Sequence, residues 1–515
     1  MIAKRNLQFW LSLAVMIFLI TVPWKAVAQD AAQVESPDAA RSESAPTVLH
    51  ARPPTDRKGA ATEGLGTAEA AAAIQYVRCN TEDDPDAAID ACTVAINSGR
   101  ASGSDLAALL DRRGQAYNDK KDPVRARADF DAAIALNPDA AGPYNNRGMT
   151  FDTQHDYDRA IADFDKSISL DPQNGPAFNN RGGAYAMKHQ FPKAIEDLTR
   201  AIQIDSEDTR FLTNRGEIYR MSGDLDHALA DFDKAIAREP DVASNYTRRA
   251  RTFVAKSAFN DAVKDLDVAI RLDPSVVDNW IDRGADHYQL GAYQAALTDL
   301  NQAISMGSRK PGAFVDRAIS YEMLGERDKA LADYDEAFRI DPQWVDTFNN
   351  RGNLYARMGD NARAISDYDE AIRLKPDYVL PYNGRCWARV QMGQDLDRAF
   401  ADCAKALELK ADYYSALRGK AVIELRQARF AEALADYRAL ITADKGHAED
   451  LYGRGMALLC QGQIPEGQAD LNTAMTRDRN VAARFQKRGV PPANTARGGL
   501  FGLGARRPVQ CALKS

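Results

Sequence analysis

The feature that most constrains this chain is a residue pattern that recurs eleven times, almost always at a spacing of 34 residues. The pattern is Arg-Gly, an aromatic residue, Ala, Asp followed by an aromatic residue, Ala-Ile and often Asp-Pro. Two copies contain Arg147, Gly148, Asp163 and Phe164, and Arg351, Gly352, Asp367 and Tyr368. A fixed period of this length is typical of repeat architectures, in which each unit buries its apolar face against its neighbours. The 515 residues therefore predict a stack of similar units rather than several globular domains.

The repeats can be delimited along the chain. Eleven full repeats cover residues 107–481 and begin at 107, 141, 175, 209, 243, 277, 311, 345, 379, 414 and 448. The repeat that begins at 379 has one extra residue, in the turn between Gly393 and Arg398. Residues 71–106 are predicted to form a partial repeat that caps the amino-terminal end. Residues 482–489 are predicted to start a capping helix, and residues 490–515 to form a tail.

Each repeat is predicted to be a pair of helices. In the repeat that begins at 141, Tyr144, Gly148 and Phe151 are spaced four and three residues apart, which places them on one face of a helix. Ala160 and Phe164 continue the same spacing on a second helix. Proline after the second helix ends it, because proline lacks an amide hydrogen and clashes with the preceding turn. The expected fold class is all-α.

Small residues recur where two helices must approach each other. Counted from the first residue of each repeat, position 8 is Gly, Ala or Cys throughout, and position 20 is Ala except for Gly467 in the last repeat. Large residues such as Phe164 and Tyr368 fill the neighbouring space. With these positions in register over 107–481, the sequence resembles the tetratricopeptide repeat family. The resemblance implies an α-solenoid, a right-handed superhelix of about eleven helix pairs whose concave groove binds peptides or partner proteins.

The amino-terminal segment has the pattern of an export signal. Lys4 and Arg5 precede an apolar run over 9–22, and small residues over 26–28 predict cleavage before Gln29. Residues 1–28 are therefore expected to be a signal peptide, and the protein to be periplasmic or secreted. The alternative is an uncleaved helix that anchors the chain in the inner membrane, although the run is short for a span of about 20 residues. Residues 29–70 lack an apolar period and are predicted to be a disordered linker.

A cation at position 7 and Asp at position 23 occur together in every repeat, allowing for the extra residue near 393. Members of the family usually have apolar residues at both positions. We expect a bidentate ion pair that ties the first helix to the second, since a planar guanidinium matches a carboxylate. The alternative is two independently solvated charges. Representative pairs are Arg147 with Asp163, Arg215 with Asp231, and Arg351 with Asp367.

Asparagine recurs at positions 5 and 6, which the resemblance implies face the concave groove. The residues are Asn145, Asn146, Asn179, Asn180, Asn214, Asn349, Asn350 and Asn383. Their amides can bond both the donor and the acceptor of an extended peptide backbone, which makes them candidate peptide-binding residues. The alternative is a solvated polar face without a ligand. The series lapses at Arg248, Asp282 and Asp316, and the family's carboxylate-clamp pattern is not found.

The chain has six cysteines, an even number that suggests disulfide bonds in an exported protein. Cys386 and Cys403 are expected to pair, since their repeat positions face each other across the helix pair. Cys79 is expected to pair with Cys92, and by elimination Cys460 with Cys511. The alternative is free buried thiols.

Other chemistry is weakly represented. The formal net charge of -7 argues against a general nucleic-acid binder. Motifs of zinc enzymes, serine hydrolases and phosphate loops are missing, so we expect no metal, no cofactor and no catalytic residues. The predicted function is a non-enzymatic scaffold that binds peptides or proteins and belongs to an envelope complex. The alternatives are a membrane-anchored assembly factor for envelope or exopolysaccharide export and, less favoured, the substrate arm of an enzyme.

Overall fold

A computed structural model describes residues 67–443 and 446–491. Every regular element in these residues is an α-helix, which confirms the predicted all-α class. The predicted signal peptide at 1–28 lies outside the described residues. So do the predicted linker, apart from its last few residues, and nearly all of the predicted tail at 490–515.

The chain divides into two compact halves, with the division between Asn279 and Trp280. The amino-terminal half contains α1 (Thr67–Thr81), α2 (Pro85–Asn97), α3 (Gly103–Asp119), α4 (Pro123–Leu136), α5 (Ala141–Thr153), α6 (Tyr157–Leu170), α7 (Gly175–Met187), α8 (Phe191–Ile204), α9 (Thr209–Met221), α10 (Leu225–Arg238), α11 (Ala243–Ala255) and α12 (Phe259–Leu272). Odd-numbered helices are the first helices of the pairs, and each packs against the even-numbered helix that follows it.

The division falls within α13 (Val277–Gln289), most of which belongs to the carboxy-terminal half. This half continues with α14 (Tyr293–Ser305), α15 (Pro311–Met323), α16 (Arg327–Ile340), α17 (Val345–Met358), α18 (Asn361–Leu374), α19 (Val379–Met392), α20 (Leu396–Leu409), α21 (Tyr414–Arg426), α22 (Phe430–Ala443), α23 (Ala448–Cys460), α24 (Ile464–Arg477) and α25 (Val481–Lys487).

In ten of the eleven full repeats, the turn between the two helices is built by two adjacent residues. The first has a positive φ, as in His155 (61°) and Gly359 (85°). The second is often Asp, whose carboxylate accepts a hydrogen bond from the amide three residues later, at 3.2 Å for Asp156 and 3.1 Å for Asp360. An Asp side chain in this position satisfies one of the unpaired amides at a helix start. The two residues thus end one helix and begin the next.

Close approach between the paired helices depends on the small residues at position 8. A Cβ atom at Gly148 would lie 2.7 Å from the Phe164 ring, and one at Gly352 would lie 2.9 Å from the Tyr368 ring. Phe164 is completely buried. In these two repeats a side chain at position 8 would therefore collide with the aromatic residue at position 24, and over all eleven repeats position 8 is restricted to Gly, Ala or Cys.

Three local features differ in detail from a uniform repeat. The segment predicted as a partial repeat contains a complete pair, because α1 begins at Thr67, four residues before the predicted boundary. The extra residue of the repeat at 379 lengthens the turn to 393–395, where Asp395 has a φ of 58°. The predicted capping helix is present as α25.

Candidate functional site

The cation at position 7 and the Asp at position 23 are in contact in all eleven repeats. Arg215 Nε and Nη2 lie 2.7 and 2.8 Å from the two Asp231 oxygens, and Arg147 makes the same contact with Asp163 at 2.8 and 2.7 Å. In the carboxy-terminal half, Arg351 lies 3.0 and 2.9 Å from the Asp367 oxygens. The remaining pairs are Arg113–Asp129, Arg181–Asp197, Arg249–Asp265, Arg283–Asp299, Arg317–Asp333, Arg385–Asp402, Lys420–Asp436 and Arg454–Asp470.

The same guanidinium also reaches the preceding repeat, a contact that the sequence analysis missed. Arg147 Nη1 lies 2.6 Å from Asp131 on α4, and Arg351 Nη1 lies 2.7 Å from Asp335 on α16. One arginine therefore links three helices. The signal was the Asp-aromatic-Asp triplet, whose second Asp recurs in register. The hydrogen bonds that Arg147 donates to Asp163 raise the pKa of Arg147 above its usual value, which keeps this side chain charged.

In the amino-terminal half the asparagines at positions 5 and 6 bond to one another across repeats. Asn180 Nδ2 donates to Asn145 Oδ1 at 3.0 Å, and Asn214 Nδ2 donates to Asn179 Oδ1 at 2.7 Å. Within a repeat, Asn179 Nδ2 donates to Asn180 Oδ1 at 3.1 Å. We call Asn145, Asn146, Asn179, Asn180 and Asn214 the amide ladder. Because its members come from α5, α7 and α9, successive first helices share one surface, the first-helix face.

The corresponding asparagines of the carboxy-terminal half lack partners in the next repeat, although Asn349 Nδ2 lies 3.5 Å from Asn350 Oδ1. Asn349 and Asn383 are 3% and 7% exposed, and the Oδ1 atom of each has no hydrogen-bond partner in the described part of the chain. The next repeat has glycine at position 6 in both cases, Gly384 and Gly419, so no amide is available to donate.

The space beside these glycines is occupied. A Cβ atom at Gly384 would lie 2.5 Å from the Tyr368 ring, and one at Gly419 would lie 2.7 Å from Cys403 Sγ. An asparagine could therefore not stand at either position without displacing a buried neighbour. Side-chain packing in this half therefore excludes the asparagines that would continue the amide pairing.

The two halves also differ in the charges at position 6 and nearby. In the amino-terminal half, burial acts to raise the pKa of Glu217, but the hydrogen bond from Arg220 and the charges of Arg248 and Arg251 hold it below its usual value. In the carboxy-terminal half, position 6 is Asp282 on α13 and Asp316 on α15. The first-helix face thus has cations beside Glu217 in one half and carboxylates in the other.

Both disulfide pairs predicted within the described residues are present. Cys79 and Cys92 join α1 to α2 with a Cα–Cα distance of 4.6 Å, and Cys386 and Cys403 join α19 to α20 at 5.5 Å. The predicted pair of Cys460 with Cys511 involves a residue outside the described range, so it stays a prediction.

Residues 67–443 and 446–491 contain neither a membrane-spanning helix nor a metal-binding group of side chains. None of the helices there is both long and apolar enough to cross a membrane. No group of three or more His, Cys, Asp or Glu side chains in the same ranges is arranged to hold a metal ion. Neither finding bears on the segments outside these ranges.

Solved structures similar to this chain have low identity to it. A tetratricopeptide repeat protein from Parabacteroides merdae is 19% identical, with 46% of this chain and 93% of that chain covered and a TM-score of 0.38. Yeast Tom70 is 15% identical, with 81% and 99% covered and a TM-score of 0.43. Cut9, in a complex with Hcn1, is 14% identical, with 81% and 88% covered and a TM-score of 0.43. These scores carry no argument about function.

Comparison with curated proteins gave no match. Family models described as tetratricopeptide repeat match residues 141–174 and 345–378, and a second such model matches residues 181–244 and 281–344. The matched segments lie in both halves and follow the register of the helix pairs. The small residue at position 8 and the two-helix unit also recur in the repeats outside these segments, and position 24 there is aromatic or aliphatic except for Cys403, which is bonded to Cys386. The chain is therefore a tetratricopeptide repeat protein.

Proposed function

We propose that this protein is a non-enzymatic scaffold that binds peptides or extended segments of partner proteins on its first-helix face, in the bacterial periplasm or cell envelope. Tetratricopeptide repeats generally mediate protein–protein interactions, and the proposal assigns that role to a particular surface. The location is supported by the amino-terminal sequence pattern and by the two disulfide bonds, which persist in oxidising compartments.

The observation that carries the proposal is the state of the position 5 acceptors in the carboxy-terminal half. A buried acceptor without a hydrogen bond costs about 1–3 kcal/mol, so most are paired in folded proteins. Asn349 and Asn383 leave two such acceptors one repeat apart. A peptide backbone amide that reached either oxygen would restore the missing bond.

The amide ladder supports the same role in the other half. An asparagine amide has two donor hydrogens and an oxygen that can accept two bonds. In Asn180, one hydrogen is used by Asn145 and one bond is accepted from Asn179, so one of each is left over. The bonds between repeats hold the amides in fixed orientations, which reduces the entropy lost when a peptide binds.

The test is selection of random phage-displayed peptides on the full chain and on Asn349→Ala/Asn383→Ala. Exposed asparagines on second helices, Asn260 and Asn472, provide the matched control Asn260→Ala/Asn472→Ala. We expect the wild type and the control to enrich a common set of sequences and the Asn349/Asn383 variant to lose it. Enrichment of the same set by all three proteins would refute the role of these asparagines.

A further inference from the structure

Four aspartates lie on the first helices α13, α15 and α17 of the carboxy-terminal half. Asp282 and Asp286 are one turn apart on α13, Asp316 occupies on α15 the position that Asp282 has on α13, and Asp346 lies near the start of α17. Their charges act on one another, because Asp282 acts on both Asp286 and Asp316, and Asp346 acts on Asp316. We call these four residues the acidic cluster.

Asp286 is the unusual member, because it occupies position 10 of its repeat. This position is buried in all eleven repeats and is elsewhere Ala, Ile, Leu, Ser or Thr. Where position 10 is Thr or Ser, the buried hydroxyl can hydrogen-bond within its own helix. Thr150 and Ser320 donate to the backbone carbonyl four residues earlier, at 3.0 and 2.9 Å. An ionised aspartate has no hydrogen to donate. Asp286 is 3% exposed, and its Oδ2 has no hydrogen-bond partner.

The groups around the cluster are mostly acidic or phenolic. Burial, then the charge of Asp282, raises the pKa of Asp286 to about 8. Burial, then the charges of Asp346 and Asp282, raises the pKa of Asp316 to about 7. Asp316 in turn acts on the Tyr288 and Tyr334 phenols.

Three groups near the cluster bond to residues other than Asp286 and Asp316. Arg357 is paired with Glu322, and Tyr378 donates to Asp346 at 2.9 Å. His287, the residue after Asp286, lies 3.7 Å from Asp299 on α14. The charges that raise the pKa values of Asp286 and Asp316 are those of Asp282 and Asp346.

We propose that the acidic cluster receives a lysine or arginine side chain of a bound peptide, with Asp286 and Asp316 as its carboxylate partners. This inference rests on the proposed function and names the chemical class of the partner. A buried carboxylate without a cation is unfavourable, and an incoming ammonium or guanidinium group supplies the missing charge and hydrogen-bond donors. A metal ion is a poorer candidate, since no metal-binding group of side chains occurs in the described residues.

Binding of this kind releases protons. With pKa values of about 8 and 7, Asp286 and Asp316 retain much of their protons near neutrality in the free protein. A bound cation favours the ionised carboxylates and so lowers both pKa values. The complex then holds fewer protons than the free protein, and linkage requires that affinity rise as the pH increases from about 6 to about 8.

The experiment uses the full chain and two labelled peptides of equal length, one alternating lysine with glycine and one alternating glutamate with glycine. The variant is Asp286→Asn/Asp316→Asn. The matched control is Asp328→Asn/Asp377→Asn, which removes two exposed carboxylates from the same half. Fluorescence anisotropy gives the affinities, and calorimetry in two buffers of different ionisation enthalpy gives the protons released.

We expect the lysine peptide to bind the wild type and the control alike, with proton release. The Asp286/Asp316 variant should bind it about tenfold more weakly, a factor that corresponds to about 1.4 kcal/mol, and without release. Equal binding of both peptides to the wild type, or binding without proton release, would overturn the inference even if the variant did not fold. Peptides from the phage selection that still depend on Asn349 and Asn383 would show that the proposed function survives such a failure.

Discussion

The two halves of the protein share one scaffold but differ on their first-helix faces. Arg215 and Arg351 make the same bidentate contact with an Asp of the second helix, and Gly148 and Gly352 meet the same kind of aromatic ring. On the face, however, the amino-terminal half pairs its amides across repeats. The carboxy-terminal half leaves the side-chain oxygens of Asn349 and Asn383 and one oxygen of Asp286, Oδ2, buried without hydrogen-bond partners among the described residues.

This difference separates residues that build the repeat from residues whose polar atoms lack a partner within the described chain. Positions 7, 8, 23 and 24 are constrained alike in both halves, so they carry no information about a partner. Positions 5, 6 and 10 vary between the halves. At these positions, the buried polar atoms without a hydrogen-bond partner all belong to the carboxy-terminal half of the described chain. Unsatisfied buried groups reduce stability, so their persistence at one surface is typical of a functional site.

The largest expected effect is a difference in pH dependence between the halves. A carboxyl group whose pKa is raised by folding keeps its proton in the folded state and loses it in the unfolded state, so stability falls as the pH rises between the two pKa values. Burial raises the pKa of Asp111 and Asp152 in the amino-terminal half to about 6, and that of Asp286 to about 8. Between about pH 6 and about pH 8 the carboxy-terminal half should therefore lose up to about 1.4 kcal/mol per pH unit for each such group.

Hydrogen–deuterium exchange, corrected for the intrinsic pH dependence of exchange, measures this effect helix by helix. Protection of α13 and α15 should fall over this range while that of α5 and α7 stays level. Asp286→Asn, which resembles the protonated side chain, should flatten the response of α13. An equal response of both halves would remove the contrast.

The next largest effect concerns the shared scaffold and should be the same in both halves. Arg215→Leu leaves Asp231 as an uncompensated buried charge, and Arg351→Leu does the same to Asp367. Breaking a buried pair in this way costs about 3–5 kcal/mol. Local protection of α9 and α10, or of α17 and α18, should decrease by similar amounts in the two variants.

The double variant Arg215→Leu/Asp231→Leu separates the stranded charge from lost packing. Replacing both partners by apolar residues is often neutral or stabilising, so most of the protection should return. Unchanged protection in Arg215→Leu alone would mean that the ion pair has no structural role.

The sequence was sufficient for the contacts that lie within one repeat. Helix pairs, turns and the contact of Arg147 with Asp163 depend on positions inside one repeat, and the sequence shows these positions many times. The pairing of Cys386 with Cys403 also depends on two positions inside one repeat. The contact of Arg147 with Asp131 and the bond between Asn180 and Asn145 depend on how one repeat is stacked on the next. The 34-residue period gives the length of a repeat but does not say how one repeat is placed on the next.

Asp286 was missed for another reason. It does not recur, and from the sequence alone an aspartate on a first helix is expected to be exposed and therefore does not stand out. The signal lay in the other copies, since position 10 holds only small or apolar residues in the remaining ten repeats. Such a position is a packing site, and a carboxylate there is buried wherever the scaffold is kept. Departures from the consensus at buried positions therefore identify candidate functional residues better than polar residues at exposed ones.

The smallest effect tests the difference between the two sets of asparagines directly. Asn180→Ala removes the partner of Asn145 Oδ1 and of Asn179 Nδ2, and groups left unpaired in this way cost about 1–3 kcal/mol. Asn383→Ala removes a buried oxygen that has no partner, and the relief of that unpaired group offsets the packing that is lost, so stability should not fall. Protection of α7 should therefore fall in the first variant, while that of α19 is unchanged in the second. Because the second variant folds normally, any loss of peptide binding in it reports on recognition alone. A clear loss of protection of α19 would instead show that Asn383 is part of the scaffold, and the contrast between the halves would then rest on Asp286.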